Sequence, residues 1–473
     1  VLFNSYIFIL AFLPLVLLGW WIPRDTTVRL LILVSASFIF YGWFDWRFMA
    51  LMFIVGCSGY WAGRCIAMSS NPDQRKSWLI FVIATNLVLL GYFKYSGLFS
   101  RLLDNVADIV GYPDMVSAVE VLLPLGISFY IFENLSYCID IYRGRATPAR
   151  NFLHYMLFIS IFPKLIAGPI IRYTDVEAQY ARLRDRIDIR MMWIGVVFFV
   201  VGLAKKIVIA DRAAAMAMSM LELPSPSFQE SWVAVGAYTI QIYFDFSAYS
   251  DMAVGLGFML GFQFPQNFNR PYMATDITDF WDRWHITLSR WLRDYLFIPL
   301  GGSRKGSIIT LRNLFIVMFL GGLWHGANWT FVVWGMYHGL LLASYHTWTQ
   351  LRKSLSFPQF PLWPSRALTL VAVMFGWALF ASPDFQAAGD LIHGMIGGNG
   401  FSGLNPFSRL RGFSRTAMIA MVIATLWILF VPEVWNWRLL GTPRRRHAVV
   451  AAVVAFVCLG ALGGFSPFIY YQF

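Results

Sequence analysis

Seven histidines, at positions 154, 285, 325, 338, 346, 393 and 447, are the side chains in this sequence best suited to moving a proton near neutral pH. An unperturbed imidazole titrates at about 6.5. Two of them are set among tryptophans. His285 closes the run Phe280-Trp281-Asp282-Arg283-Trp284-His285, and His325 lies in Gly321-Gly322-Leu323-Trp324-His325-Gly326-Ala327-Asn328. A neutral imidazole in such surroundings can take the proton of a hydroxyl and make it a nucleophile. Aromatic walls exclude water, and glycine at 326 leaves room for a substrate beside the backbone. The plain alternative is a core histidine hydrogen-bonded to a backbone carbonyl, and these residues alone leave both readings open. His338, in Trp334-Gly335-Met336-Tyr337-His338-Gly339, is a weaker case that either supports a substrate or packs.

Other chemistries lack their signatures. There is no Gly-x-Ser-x-Gly elbow, no Walker loop and no His-Glu-x-x-His. The histidines do not fall at metal-ligand spacing, so no metal is expected; His338 and His346 lie two helical turns apart, too far to share an ion. Cys57, Cys65, Cys138 and Cys458 form no Cys-x-x-Cys pair and read as small buried apolar residues. The glycines at 255, 257 and 261 have the look of a dinucleotide fingerprint, but no strand precedes them. Gly257 and Gly261 read instead as a Gly-x-x-x-Gly packing pair in an apolar helix.

The elements that must hold the histidines are membrane helices. Of 473 residues, 58% are hydrophobic and only 13% charged, against about 25% charged in a soluble domain. Uncharged runs cover 1–23, 77–93, 191–204, 313–351 and 448–473, and a span needs about 20 apolar residues. Further runs at 30–44, 48–63, 121–141, 231–262, 366–383 and 416–432 bring the expectation to about 11 spans in an all-α, polytopic chain. The run 1–23 has no basic leader or clear cleavage site and reads as a first span. Residues 101–119 read as an interfacial helix or loop and 384–412 as a polar loop. The run 313–351 is too long for one crossing, and its glycines place a break near His325. Pro163 and Pro169 predict a broken or re-entrant segment within 152–171.

The net charge of +12 comes from short clusters: Arg143/Arg145/Arg150, Arg182/Arg184/Arg186/Arg190 and Arg444/Arg445/Arg446. They read as cytoplasmic topology markers, with binding of an anionic donor as the alternative; no nucleic-acid partner is implied. The last cluster would put the C-terminus outside. Glu133, Asn134 and Asp140 inside an apolar run serve either function or helix–helix hydrogen bonding. With no internal repeat or linker, residues 1–473 read as a single membrane domain.

Trp324-His325-Gly326 in an apolar run, preceded by Phe280-Trp281-x-x-Trp284-His285, resembles the membrane-bound O-acyltransferase family. Gly126–Gly144, Phe162–Arg172, Tyr243–Gly261, Trp291–Gly302 and the ending Phe468–Phe473 extend the resemblance to its bacterial alginate O-acetyltransferase branch, over essentially the whole chain. The resemblance implies helices around a central tunnel, a cytoplasmic acyl thioester (acetyl-coenzyme A or an acyl carrier), no tightly bound cofactor, and an acceptor hydroxyl on the far side. It puts the family's invariant histidine on His325, as general base, and its second position on His285, which orients the thioester or stabilises the oxyanion. Trp281, Arg283, Trp284, Arg293, Trp324, Asn328 and His338 become candidates for substrate or donor contact. Arg283, Arg290 and Arg293 could bind the donor's phosphates, with topology as an equal alternative. The implied setting is the inner membrane of a bacterium, with lipids and periplasmic polysaccharide O-acetyltransferase proteins as partners. Carrier-dependent D-alanyl transfer to a cell-wall polymer is the closest alternative, and lysophospholipid acylation a further one. An ion-coupled transporter using Glu133, Asp140, Asp245 and Asp251 is the alternative of another class.

Overall fold

A computed structural model describes residues 2–111, 121–183, 185–358, 360–401, 415–441, 444–463 and 468–469. The described residues form helices, turns and irregular segments, with no strand among them. Five helical stretches are long and apolar enough to cross a membrane: Arg47–Met68, Pro72–Val110, Ile189–Leu221, Ser307–His325 and Leu362–Ala381. Phe8–Trp21, Thr26–Gly42 and Arg415–Phe430 are shorter apolar helices. Leu15, Val88, Ile109 and Phe456 are more than two-thirds exposed, which suits a surface facing lipid rather than water. The chain is a multi-pass membrane protein.

Polar caps set several helix starts. Asp25 accepts a hydrogen bond from the Val28 N–H, and Asn71 accepts from Asp73 ahead of Pro72 at the first helical position. Two expected boundaries move. The helix beginning at Pro72 does not stop at Lys94 but runs 39 residues to Val110, since no proline interrupts it before left-handed Gly111. That overrides the reading of 101–111 as a separate interfacial piece; 112–119 lie outside the described residues. The helix at Ile189–Ala204 likewise continues through a π-helical turn, Lys205–Ala210, into Asp211–Leu221. Lys205 and Lys206 are buried rather than marking an end; Lys206 meets Asp211 at 2.9 Å and Asp245 at 2.7 Å.

The chain divides into two compact units. The first comprises 1–200, 249–265 and 439–462. Here the helix Phe152–Ser160 ends before Pro163, and 161–171 run buried without helical structure, as the prolines predict. Glu133, on the helix Ile127–Tyr142, serves this segment: it pairs with buried Lys164 and accepts the Ile171 N–H at 3.2 Å. The intramembrane carboxylate therefore does structural work, satisfying backbone that a helix leaves unpaired. Left-handed Gly126 lies against this segment; a Cβ there would meet the Leu165 carbonyl at 2.4 Å. In this unit Gly255 packs closely on Gly195, a contact between helices that the expected Gly257/Gly261 pair does not make; Gly261 has φ +87° and follows the helix end.

The second unit comprises 201–248, 266–438 and 463–473. Its centre is a hairpin of Ser307–His325 and Trp329–Ser354, broken where the overlong run required. Glycines set its spacing. A Cβ on Gly335 would lie 2.3 Å from the Met318 carbonyl oxygen, and one on Gly322 2.3 Å from that of Phe331. Both neighbours are backbone, so neither yields without separating the helices. Gly335→Ala is therefore expected to cost about 1–3 kcal/mol, a typical overpacking penalty. A lowered thermal midpoint of the purified protein would register it; an unchanged midpoint would count against this packing.

Candidate active site

His285 and His325 occupy helix ends. His325 is the last residue of Ser307–His325, followed by extended Gly326, with Asn328 capping the next helix. Two helices of 7 residues each, Ile277–Arg283 and Ile286–Leu292, flank Trp284 and His285. His285 reverses the chain between them at φ +42°, ψ +54°. A left-handed non-glycine residue costs about 1–3 kcal/mol and persists where its surroundings over-determine it.

Burial and ring contacts place three histidines in one aromatic row. His285 and His338 are 0% exposed and His325 5%. Trp324 touches His285 at 5.9 Å between ring centroids and His325 at 5.0 Å. Trp334 lies 4.9 Å from both His325 and His338. Trp281 closes the far end, 5.3 Å from His338. Phe380 packs on His325 at 5.0 Å, and Phe246 stands edge-on to His285 at 4.7 Å. Trp284 backs the row through Phe280 and Trp377. The two catalytic candidates thus share Trp324, and His338 joins them through Trp334.

The remaining candidates have other partners. Arg283 pairs with Asp279 at 2.5 Å, and Arg293 with Asp294 at 2.8 Å. Asn328 accepts the Thr330 N–H and donates to the Pro383 carbonyl at 2.6 Å, so both ends of its amide hold the helix start. Gly326 does not open a path to the backbone: a Cβ there would strike the Phe331 ring at 2.4 Å, so that space is already filled. Asp245, a candidate for an ion path, is paired with Lys206 and accepts the Ile469 N–H at 2.6 Å. Within the terminal hexapeptide only Phe468 and Ile469 are among the described residues, and Phe468 packs on Phe246.

Sequence reading missed Asn267, Trp334 and Phe380. The signal for Asn267 is faint: Gln266-Asn267-Phe268-Asn269 is an uncharged polar patch between two apolar stretches. Its Oδ1 lies 3.1 Å from His285 Nδ1 and accepts from Thr287 N–H at 3.3 Å and Thr287 O–H at 2.9 Å.

Comparison with known proteins agrees with this architecture. The model of the membrane-bound O-acyltransferase family matches residues 148–381, which include all three histidines of the row. A probable alginate O-acetylase of Pseudomonas syringae pv. tomato is 40% identical over 431 residues, covering 90% of this chain and 80% of that protein. A peptidoglycan O-acetyltransferase of Helicobacter pylori is 35% identical, covering 85% and 81%. A teichoic acid D-alanyltransferase of Bacillus subtilis is 27% identical, covering 55% and 69%. An all-helical membrane chain with these relatives is an integral-membrane enzyme of acyl transfer. It belongs to the membrane-bound O-acyltransferase family and is a membrane-bound O-acetyltransferase.

Proposed function

We propose that the protein transfers an acetyl group from a cytoplasmic thioester, acetyl-coenzyme A or an acyl carrier, to the hydroxyls of an exported polysaccharide. The observation that carries this reading is the aromatic row, which sets His325 at a helix break inside a water-poor interior. His325 removes the acceptor's proton; the acceptor oxygen attacks the thioester carbonyl; the tetrahedral intermediate collapses, and the leaving thiolate takes the proton back from the imidazolium. His285 orients the reacting groups from the far side of Trp324. His338 contacts substrate: neither ring nitrogen has a hydrogen-bond partner among the described residues, and Nε2 faces Gly376, where a Cβ would lie 2.7 Å away. Burying such a group unpaired costs about 1–3 kcal/mol, which a purely packing residue would avoid.

The wider reading has about 11 spans forming one domain around a tunnel in a bacterial inner membrane. Periplasmic partner proteins complete delivery to the polymer, and the relatives' names point to alginate or another cell-surface glycan as acceptor. Arg283, Arg290 and Arg293 are the arginines of the donor's phosphates in this reading, and Arg283 and Arg293 also pair with Asp279 and Asp294. The test is deletion of the gene, followed by analysis of the cell's extracellular and wall polysaccharides. Loss of ester-linked acetate, restored by the wild-type gene, is expected; unchanged acetate in every polymer overturns the proposal.

A further inference from the structure

We infer that Asn267 is a positioning residue that fixes the tautomer and orientation of His285, so that His285 presents a lone pair, not a proton, to the reacting groups. This rests on the reading of His285 as part of the reacting site.

The amide orientation of Asn267 follows from its partners. The atom facing His285 also receives the Thr287 backbone N–H, a donor that cannot reverse. It is therefore the carbonyl oxygen. A carbonyl oxygen can only accept, so the His285 Nδ1 that meets it at 3.1 Å must carry the proton. In the neutral imidazole Nε2 then holds the lone pair. That nitrogen is buried and has no hydrogen-bond partner among the described residues. The backbone completes the clamp: Ile286 N–H donates to the Asn267 carbonyl, and Asn269 N–H to that of Arg283, both at 2.9 Å. The clamp spans the left-handed turn and accounts for how His285 is held there.

The consequence corrects an expectation for His285. Stabilising an oxyanion requires a donor, and a lone pair at Nε2 is not one. The nitrogen can accept from a substrate hydroxyl or from an amide N–H of the thioester arm. Orienting the reactants is the role that the geometry allows.

Nitrogen NMR of the full-length protein, labelled with ¹⁵N-histidine and reconstituted in nanodiscs, tests this directly. His285→Gln identifies the signal. A protonated Nδ1 and bare Nε2 on His285 are expected; a protonated Nε2 overturns the inference whatever the activity. Asn267→Leu removes the acceptor at similar volume, while Asn267→Asp retains it. With acetyl-coenzyme A as probe donor, Asn267→Leu should lower kcat by roughly 100-fold and lose the single-tautomer signature. Asn267→Asp should keep both. A retained signature in Asn267→Leu, or equal loss in both variants, overturns the positioning role. Full activity of His285→Ala would overturn the reading of His285 itself, while the nitrogen spectrum still decides the clamp.

Discussion

His325→Ala is expected to reduce polysaccharide O-acetylation by about 10²- to 10⁴-fold, the usual contribution of a general base, while the protein still accumulates in the membrane. The argument is positional. His325 ends a membrane-length helix and has rings on three sides: Trp324, Trp334 and Phe380. It is 5% exposed, so bulk water cannot substitute as base. Removing the imidazole deletes the proton acceptor but leaves the helix break intact, because Asn328 and Gly326 set that break. Acetate released from purified polysaccharide, compared at matched protein levels, measures the effect. Normal acetylation in this variant would remove His325 from the mechanism.

The second large effect concerns stability. Lys164→Ala is expected to destabilise the protein by about 3–5 kcal/mol, the cost of leaving one charge of a buried pair uncompensated. The Lys164 and Glu133 side chains are 1% and 3% exposed. Glu133 also holds the Ile171 N–H, so the loss reaches the broken segment after Ser160. Total stabilities of about 5–15 kcal/mol make this a large fraction. Yield in the membrane fraction and the thermal midpoint in detergent should both fall. The double variant Glu133→Gln/Lys164→Met should recover much of the loss, since glutamine retains an acceptor for Ile171 and methionine fills the lysine's volume. If Lys164→Ala matches wild type, the pair does not hold this segment.

Some of this was legible in the chain. The break at His325 follows from an apolar run too long for one crossing and from its glycines, both local properties. The buried, irregular stretch after Ser160 follows from Pro163 and Pro169. The tryptophans beside His285 and His325 marked the candidate site in the sequence. Other features were not legible because their partners are distant in sequence. Glu133 meets Lys164 across 31 positions, and Asn267 meets His285 across 18. Asn328, adjacent to the motif, looked like a substrate contact, but its amide is taken up by Thr330 and Pro383.

By itself the sequence determined the class: a helical membrane chain, its candidate histidines, and the family its motifs resemble. Composition and apolar run length decide that, since backbone in lipid must bond to itself and each span is a contiguous stretch. Only the tertiary structure decided which polar groups are paired. It drew Trp334, Phe380 and His338 into the row of His285 and His325, assigned Glu133 to scaffolding, and set the Asn267 Oδ1 against His285 Nδ1. Those outcomes depend on directional hydrogen bonds and ring contacts between segments far apart in the chain, which no local pattern specifies.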